Sequence, residues 1–381
     1  MIKSYDVCIV GGGVVGLWIA RRLTDSGLKI VLVEQETCGA GASGGVLGAL
    51  MAHAPDNWNA KKQFQFDALA ELPALITRLE NETGLSTGYA RCGRLMPLRR
   101  RNFVAQSRQR AEQAQAYWQS HGKAFAFEVV ENMPEPGWLN PECAPFGFVH
   151  DHLAARINPR RYIAALKASA QAASRTDILE HWPFGHFDES RSIVRSEDGA
   201  NQLIAKDLVL AAGYRTFSLL EPVLGCTIGG GVKGQAAMFN CPAAAGKPLI
   251  YDDGTYIVPH YNGLCAVGST SEKQWQAPTT PDEGRTDFIE RAQALCPPLR
   301  DADMLGRWAG VRPRCKLTDP IIGQLAPGRS IWVATGGYKI TFGIAHRMAA
   351  AIADALCTRP SAIELPPSFQ PAHHLQGEHR C

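Results

Sequence analysis

The sequence predicts a mixed α/β fold in which two units share the chain discontinuously. Three observations carry that reading. A strand–helix–strand unit punctuated by glycines opens the 381-residue chain. A strand–glycine–helix unit closes it: Ile331-Trp332-Val333-Ala334, then Gly336-Gly337 and a helix over about 344–357. Between them, residues 229–270 carry a β-like pattern. An opening half and a closing half of one α/β layer place the β-rich stretch as an interleaved second unit.

The opening unit is the most specific. Val7-Cys8-Ile9-Val10 is a short apolar run that stops at three glycines, the pattern of a buried parallel strand. Val14 to Ser26 is periodic through Leu17, Ala20 and Leu23, with Arg21 and Arg22 on the wet side, and Gly27 supplies a C-terminal cap. Ile30-Val31-Leu32-Val33 is a second buried strand, ending at Glu34. Two parallel strands joined by a helix require a right-handed crossover. Helices are expected over about 60–84 and 102–121, and Arg156 to Ser174 reads as another, with Pro159 at its first turn. Leu208-Val209-Leu210, Tyr256-Ile257-Val258 and Cys265-Ala266-Val267 read as strands. The tail after Pro366 is polar, rich in proline and histidine, and expected to be disordered.

Gly11-Gly12-Gly13-Val14-Val15-Gly16 matches G-x-G-x-x-G. Gly11 permits the tight turn, Gly13 lets the backbone approach a pyrophosphate, and Gly16 lets helix and strand pack closely. Free N–H groups and the positive end of the helix dipole then hold phosphate. Glu34, eighteen residues past Gly16, stands where a carboxylate accepts from ribose hydroxyls and repels a 2′-phosphate, which disfavours NADP. After the second strand comes Cys38-Gly39-Ala40-Gly41-Ala42-Ser43-Gly44-Gly45, small residues that let backbone run against a ligand, rather than another strand–helix repeat. The Gly336-Gly337 unit offers a second close approach at the far end of a long cofactor. These features favour FAD over NAD.

Composition bounds the rest. With 45% hydrophobic and 20% charged residues the chain can bury a sizeable core without staples. A net charge of +3 is too weak to argue for nucleic acid or an anionic membrane. The one dense basic run, Arg99-Arg100-Arg101 with Arg91, Arg94 and Arg108 about it, reads as a solvated helix start. Eleven cysteines include no C-x-x-C pair, so neither a metal site nor a disulfide framework is expected, and a reducing compartment fits best. No apolar run reaches bilayer length and no signal peptide precedes the first strand, so a cytoplasmic protein without an integral membrane segment is expected.

Several segments, in order along nearly the whole chain, resemble the D-amino-acid oxidase superfamily, and its glycine oxidase and sarcosine oxidase-like branches most closely. They are Gly11 to Gly16, Glu34-Gln35, Ala42-Ser43 with Gly48, and Val232-Lys233-Gly234-Gln235. Tyr256-Ile257-Val258-Pro259, Val267-Gly268-Ser269-Thr270, Trp308-Ala309-Gly310-Val311-Arg312-Pro313 and Thr335-Gly336-Gly337-Tyr338 follow. The resemblance implies a glutathione-reductase-like fold: a Rossmann-type FAD-binding domain over 1–85, 150–225 and 320–365, interleaved with a β-sheet substrate domain over 86–149 and 226–319. It implies an FAD-dependent amine or amino-acid oxidase or dehydrogenase. Such an enzyme oxidises the C–N bond of a carboxylate-bearing amine by hydride transfer to flavin N5, and the imine is then hydrolysed. Oxygen or another electron acceptor takes the electrons, and no metal or acid–base triad is needed. The flavin does the chemistry and the protein orients it.

Position by position, the resemblance assigns cofactor contacts to Gly11, Gly13, Val14, Val15, Gly16, Glu34, Gln35, Ala42, Ser43, Leu47, Gly48 and Ala49. Phe184 falls on the adenine side, and Ala212 and Gly213 end the neighbouring strand. Gly337, Tyr338, Lys339, Ile340, Thr341, Phe342 and Gly343 would pass beneath the isoalloxazine, and the following helix would aim its N-terminus at the flavin C2 carbonyl. Arg312 matches the carboxylate-clamping arginine, Tyr256 a tyrosine that helps hold that carboxylate, and Lys339 the place of a second arginine. On the bare sequence Arg312 reads equally as a salt-bridge residue, Tyr256 as core, and Lys339 as a flavin contact or a solvated lysine. The pattern departs at the end: the usual histidine is Gly337, an Asn-Gly pair is Ile340-Thr341, and a proline is His346. The covalent-flavin cysteine of the sarcosine oxidase branch is Arg312 here, with Cys315 three residues on, so FAD is expected to be non-covalent. Two other readings are an electron-passing subunit of a heteromeric amine dehydrogenase and an enzyme acting on a modified nucleobase in tRNA, the latter disfavoured by the weak charge. The oligomeric state is left open.

Overall fold

The computed structural model describes residues 2–120, 122–131, 137–361 and 363–375. In chain order the opening part contains β1 (Ser4–Val10), α1 (Val14–Leu23), β2 (Ile30–Val33), β3 (Ala49–Leu50), α2 (Ala60–Thr83), β4 (Arg94–Pro97) and α3 (Arg101–Tyr117). The middle contains β5 (Gln119–Ser120), β6 (Lys123–Ala124), β7 (Phe127–Val130), β8 (Phe148–Asp151), β9 (Ala155–Arg156) and α4 (Pro159–Gln171). Then come β10 (Thr176–Leu179), β11 (Phe184–Asp188), β12 (Ile193–Ser196), β13 (Gln202–Leu210) and α5 (Arg215–Leu224). The last part contains β14 (Gly229–Asn240), β15 (Leu249–Asp252), β16 (Thr255–Pro259), β17 (Leu264–Gly268), α6 (Asp287–Leu295) and β18 (Asp303–Cys315). It closes with β19 (Ile321–Gln324), β20 (Ile331–Thr335), α7 (Thr341–Leu356) and α8 (Pro371–Leu375).

Two eight-stranded sheets organise these elements. In the first, β10, β2, β1, β13 and β20 run parallel, flanked by antiparallel β11, β12 and β19. Successive side chains of a strand point to opposite faces. Val7, Ile9, Ile30 and Leu32 therefore join one core with α1, α2, α4 and α7, while Cys8, Val10, Val31 and Val33 join another with Phe217 and Leu220 of α5. Both faces are covered, which is why β1 and β2 read as unbroken apolar runs. α1 ends in a 3₁₀ turn, Thr24–Ser26, and Gly27 takes the left-handed φ of 80° that its capping role requires. Asn158 caps α4 and Pro159 opens it, as expected.

The second sheet has the order β18-β14-β17-β16-β15-β4-β8-β7 and is antiparallel except where β15 meets β4. Every strand of the first sheet lies within 1–85, 150–225 or 320–365, and those of the second within 86–149 or 226–319 apart from the end of β8. No helix among the described residues is long and apolar enough to cross a membrane.

Two local expectations are corrected. The tail was expected to be disordered from Pro366, yet Pro367–Phe369 forms a turn and Pro371–Leu375 the helix α8. Phe369 is 2% exposed against Phe64, at 5.3 Å between rings, and Pro371 packs over Gly323; these apolar contacts outweigh the polar composition. Residues 376–381 lie outside the described residues. The basic run does start α3 at Arg101 and Arg108 is exposed, but Arg91 and Arg94 are not solvated. Arg94 is 5% exposed and bonds Asp151 at 2.6 Å, and Arg91 donates to the carbonyls of Leu153 and Leu69. A buried guanidinium is tolerated only with such partners.

Candidate functional site

The glycine loop, Glu34 and the Ala212-Gly213 turn stand at the C-terminal ends of β1, β2 and β13. Gly11 has φ 111°, and a Cβ there would stand 2.6 Å from Ala211 O. A Cβ on Gly16 would stand 2.0 Å from Gly11 O, so the turn and the first helical turn interlock through backbone alone. α1 has no side-chain cap and no acid in its first turn. Val14 N–H donates to Ser43 Oγ at 3.0 Å, which ties the glycine loop to the small-residue segment. Gly12 N–H donates to Glu34 at 2.7 Å and Glu36 N–H to its other oxygen at 3.0 Å. A carboxylate has about four acceptor positions, so Glu34 keeps capacity for ribose hydroxyls. Gln35 instead accepts from Arg215. Phe184 lies on β11, and nearby Trp182 N–H donates to Glu34 O at 2.8 Å.

Ala42–Gly44 forms a 3₁₀ turn, and the chain then runs through Leu47 to Ala49, which pairs with Arg156. Gly48, at φ 68°, leaves only 1.9 Å between a Cβ and Ile157 O. Leu47 reaches across to Gly268 of β17, so this segment passes from the first sheet to the second. His260, 2% exposed, contacts Val46 O at 2.8 Å through Nε2, and Arg160 donates to Gly44 O at 3.0 Å. Ala212 and Gly213 end β13 beside Gly11, and Thr335 Oγ1 donates to Gly213 O at 2.8 Å. At the far end Gly336 (φ 81°) and Gly337 lead into a 3₁₀ turn, Tyr338–Ile340, and then α7, which has no side-chain cap. Ile340 and Phe342 turn into the helical core, Gly343 lies against Leu69, and Thr341 Oγ1 bonds Tyr338 O at 3.1 Å. Glycines that must be glycine, uncapped helix N-termini and a half-satisfied carboxylate suit a dinucleotide.

The substrate-side residues meet on one face of the second sheet. Tyr256 is opposite Gly268, Gly268 is opposite Ala236, and Ala236 is opposite Trp308. Along β18 the period of two puts Trp308, Gly310, Arg312 and Arg314 on that same face. Small residues open it. A Cβ on Gly310 would stand 2.4 Å from the Trp308 indole, and one on Gly234 would stand 2.1 Å from both terminal nitrogens of Arg312. The indole and the guanidinium thus lie flat on backbone. Arg312 makes one long hydrogen bond, to Thr270 O at 3.3 Å, and no ion pair among the described residues. Burial lowers its pKa. Burial also pushes the Tyr256 hydroxyl up to about 12, with Tyr251 beside it at 4.9 Å between rings.

Lys339 Nζ lies 5.6 Å from the Tyr256 ring and 5.7 Å from the Tyr338 ring, and Arg314 lies 5.4 Å from Tyr338. A backbone bridge between Arg314 and Gly337 pins this turn to β18. Burial first, then Arg312 and Arg314, bring the Lys339 ammonium down to about 8. Lys339 also lines a cleft of about 250 Å³ with Ser269, Thr270, Ser271 and Glu272. A larger groove of about 430 Å³ between α3 and β7 touches none of these residues. Trp308 entered the sequence reading only as part of a motif and Arg314 not at all, although alternation from Arg312 reaches both.

The departures have distinct homes. His346 sits buried in α7, 6.0 Å from the Trp18 ring and 3.1 Å from Glu71, inside helix packing. Cys315 is 2% exposed behind Gly336, and burial raises its thiol to about 12.

Gly234→Ala is expected to swing the guanidinium off the sheet. Substrate affinity should fall by roughly tenfold or more, the scale of one charged hydrogen bond lost, while flavin content stays normal. Unchanged substrate affinity would mean that Arg312 acts from another pose.

A family described as FAD dependent oxidoreductase matches residues 6–355. The glycine oxidase of Pseudomonas aeruginosa is 27% identical, covering 98% of this chain and 100% of its own. That of Geobacillus kaustophilus is 25% identical, covering 98% of each chain. Its crystal structure superposes with a TM-score of 0.82 over 96% of this chain and 98% of its own, at 24% identity. The iminodiacetate oxidase of Chelativorans sp. BNC1 gives a TM-score of 0.83 over 96% of this chain and 98% of its own, at 18% identity.

Proposed function

The chain belongs to the FAD dependent oxidoreductase family, and from that premise we propose that it oxidises the C–N bond of an amino acid or carboxylate-bearing amine. It is an FAD-dependent enzyme similar to glycine oxidases. The observation that carries the substrate reading is Arg312: a half-buried guanidinium laid on the Gly234 backbone, with one weak bond and no ion pair among the described residues. A buried charge without a partner is costly. A substrate carboxylate supplies that partner in the fork geometry that arginine favours.

The two parts of the chain would divide the work. In the FAD-binding part, the Gly11–Gly16 loop and the N-terminus of α1 would hold pyrophosphate, and Glu34 would hold ribose hydroxyls. Ala42 to Ala49 and the backbone of Gly337 to Gly343 would run against the rest of the cofactor. When bound, FAD would supply the two-electron acceptor for a hydride from the substrate α-carbon. In the substrate part, Arg312 and the Tyr256 hydroxyl hold the carboxylate, and the Trp308 indole walls the site beside Gly45. The Tyr256 hydroxyl, whose pKa is raised, stays protonated and donates. The iminium product leaves the site for water to hydrolyse.

Anaerobic mixing of the FAD-loaded protein with a panel of glycine, N-methyl amino acids and D- and L-amino acids tests this. The flavin absorption band is expected to bleach with some of them and not with amines lacking a carboxylate. No bleaching by any amino acid, or equal bleaching by simple amines, would sink the reading. Repeating the panel in air with peroxide detection identifies oxygen or another molecule as the electron acceptor.

A further inference from the structure

We propose that the substrate of this site carries a second anionic group, received by Lys339 and Arg314, so that the natural substrate class is an amino or imino diacid. This rests on the amine-oxidation reading above and adds to it.

Three cations share this corner: Arg312 and Arg314 from alternate positions of β18, and Lys339 from the turn pinned to that strand. Among the described residues none of the three makes an ion pair. Their near neighbours are aromatic faces, Tyr256 and Tyr338, which attract cations but carry no compensating charge. Glu272 lies within electrostatic reach of Arg312 and offsets part of its charge, but it forms no ion pair with the three cations; its Oε1 accepts from Thr270 at 2.5 Å and from Gln235 at 2.8 Å. The other acids at the neighbouring cleft stand on its outer rim. Asp287 is paired with Arg291 at 3.0 Å, and Asp253 is exposed.

Glu272 offsets part of the Arg312 charge and a substrate carboxylate would pair with that guanidinium, which leaves Arg314 and Lys339 without an ion-pair partner among the described residues. The remaining two still repel, which is visible in the way Arg312 and Arg314 disfavour the Lys339 ammonium. A second anion cancels that repulsion and gives Lys339 Nζ an acceptor, which no described residue provides. The cleft of about 250 Å³ beside Lys339, lined by Ser269 to Glu272, has room for a further acid group.

The test uses the FAD-loaded protein and two inert analogues that differ by one charge, thiodiacetate and methylthioacetate. Each is titrated while the shift of the flavin absorption band is followed, so no turnover is needed. The dianion is expected to bind about tenfold more tightly, the scale of one partly buried charge-assisted hydrogen bond. That ratio should collapse toward one in Lys339→Met and shrink in Arg314→Met. It should also fall as pH rises through about 8, where the free Lys339 loses its proton. The groups facing Lys339 are Arg312, Arg314, Tyr256 and Tyr338, with Asp253, Glu272, Arg285, Asp287 and Arg291 lining the same cleft. A ratio near one in the unaltered protein, or the same ratio in Lys339→Met, overturns the proposal even if neither variant folds well enough to compare kinetics. The amine-oxidation reading fails separately, when no amine bleaches the flavin although the analogues bind.

Discussion

Replacing Arg312 by alanine should lower kcat/KM by roughly thirtyfold to several thousandfold, the equivalent of about 2–5 kcal/mol for a buried charged partner lost from its pair. The size follows from the surroundings. The guanidinium lies on Gly234 with one bond of 3.3 Å, so its fork is available when a carboxylate arrives. The rise should appear mainly in apparent KM, and in the dissociation constant of an inert carboxylate followed by the flavin band. Arg312→Lys should recover only part of it, because an ammonium keeps the charge but loses the planar fork. The flavin content of both variants should match that of the parent. Normal KM in Arg312→Ala would remove this residue from the site and leave its lack of a partner unexplained.

Gly16→Ala should yield protein that does not retain FAD. The added Cβ has no rotamer to escape through, and it would sit 2.0 Å from Gly11 O. The loop must open or the helix must shift, at a cost of at least about 1–3 kcal/mol for a forced overpack. That displacement falls on the N–H groups expected to hold the pyrophosphate, so affinity should drop by about tenfold to a hundredfold or more. Gly27→Ala at the other end of the same connection is the control. Gly27 has φ 80°, yet nothing lies within 4 Å of its Cβ, so the change strains the backbone without touching the loop. It should destabilise the protein by about 1 kcal/mol and keep the flavin. Flavin content after gel filtration and thermal melting separate the two outcomes. Full flavin retention in Gly16→Ala would refute the interlocked-loop account.

The parts legible in the sequence were those encoded locally. β1, α1 and β2, the glycine turn and the cap at Gly27 announce themselves through period, run length and glycine position. Arg312 and Tyr256 were flagged by short motifs, and the structure puts both on one face of the same sheet. The tail misled because composition gives its polar majority equal weight with Phe369, whereas one well-packed phenylalanine holds the segment. Arg94 misled for the reverse reason: its partner Asp151 is 57 residues away, so a buried pair looked like part of a solvated basic run. Trp308 and Arg314 lay within reach of simple alternation from Arg312, but their significance depends on what stands opposite.

By itself, then, the sequence determined the dinucleotide end of this protein. A G-x-G-x-x-G turn, its flanking strands and a terminal acid are set by backbone sterics and by period, which act between residues close in the chain. The tertiary structure alone decided the character of the other end. β16, β18 and the turn after β20 come from distant parts of the chain, and sheet register makes Tyr256, Arg312, Arg314 and Lys339 neighbours. The same packing leaves those three cations without an ion pair among the described residues, although Glu272 stands near Arg312. Charge balance depends on distances in space rather than positions along the chain, and so the unpaired positive corner becomes visible only after folding.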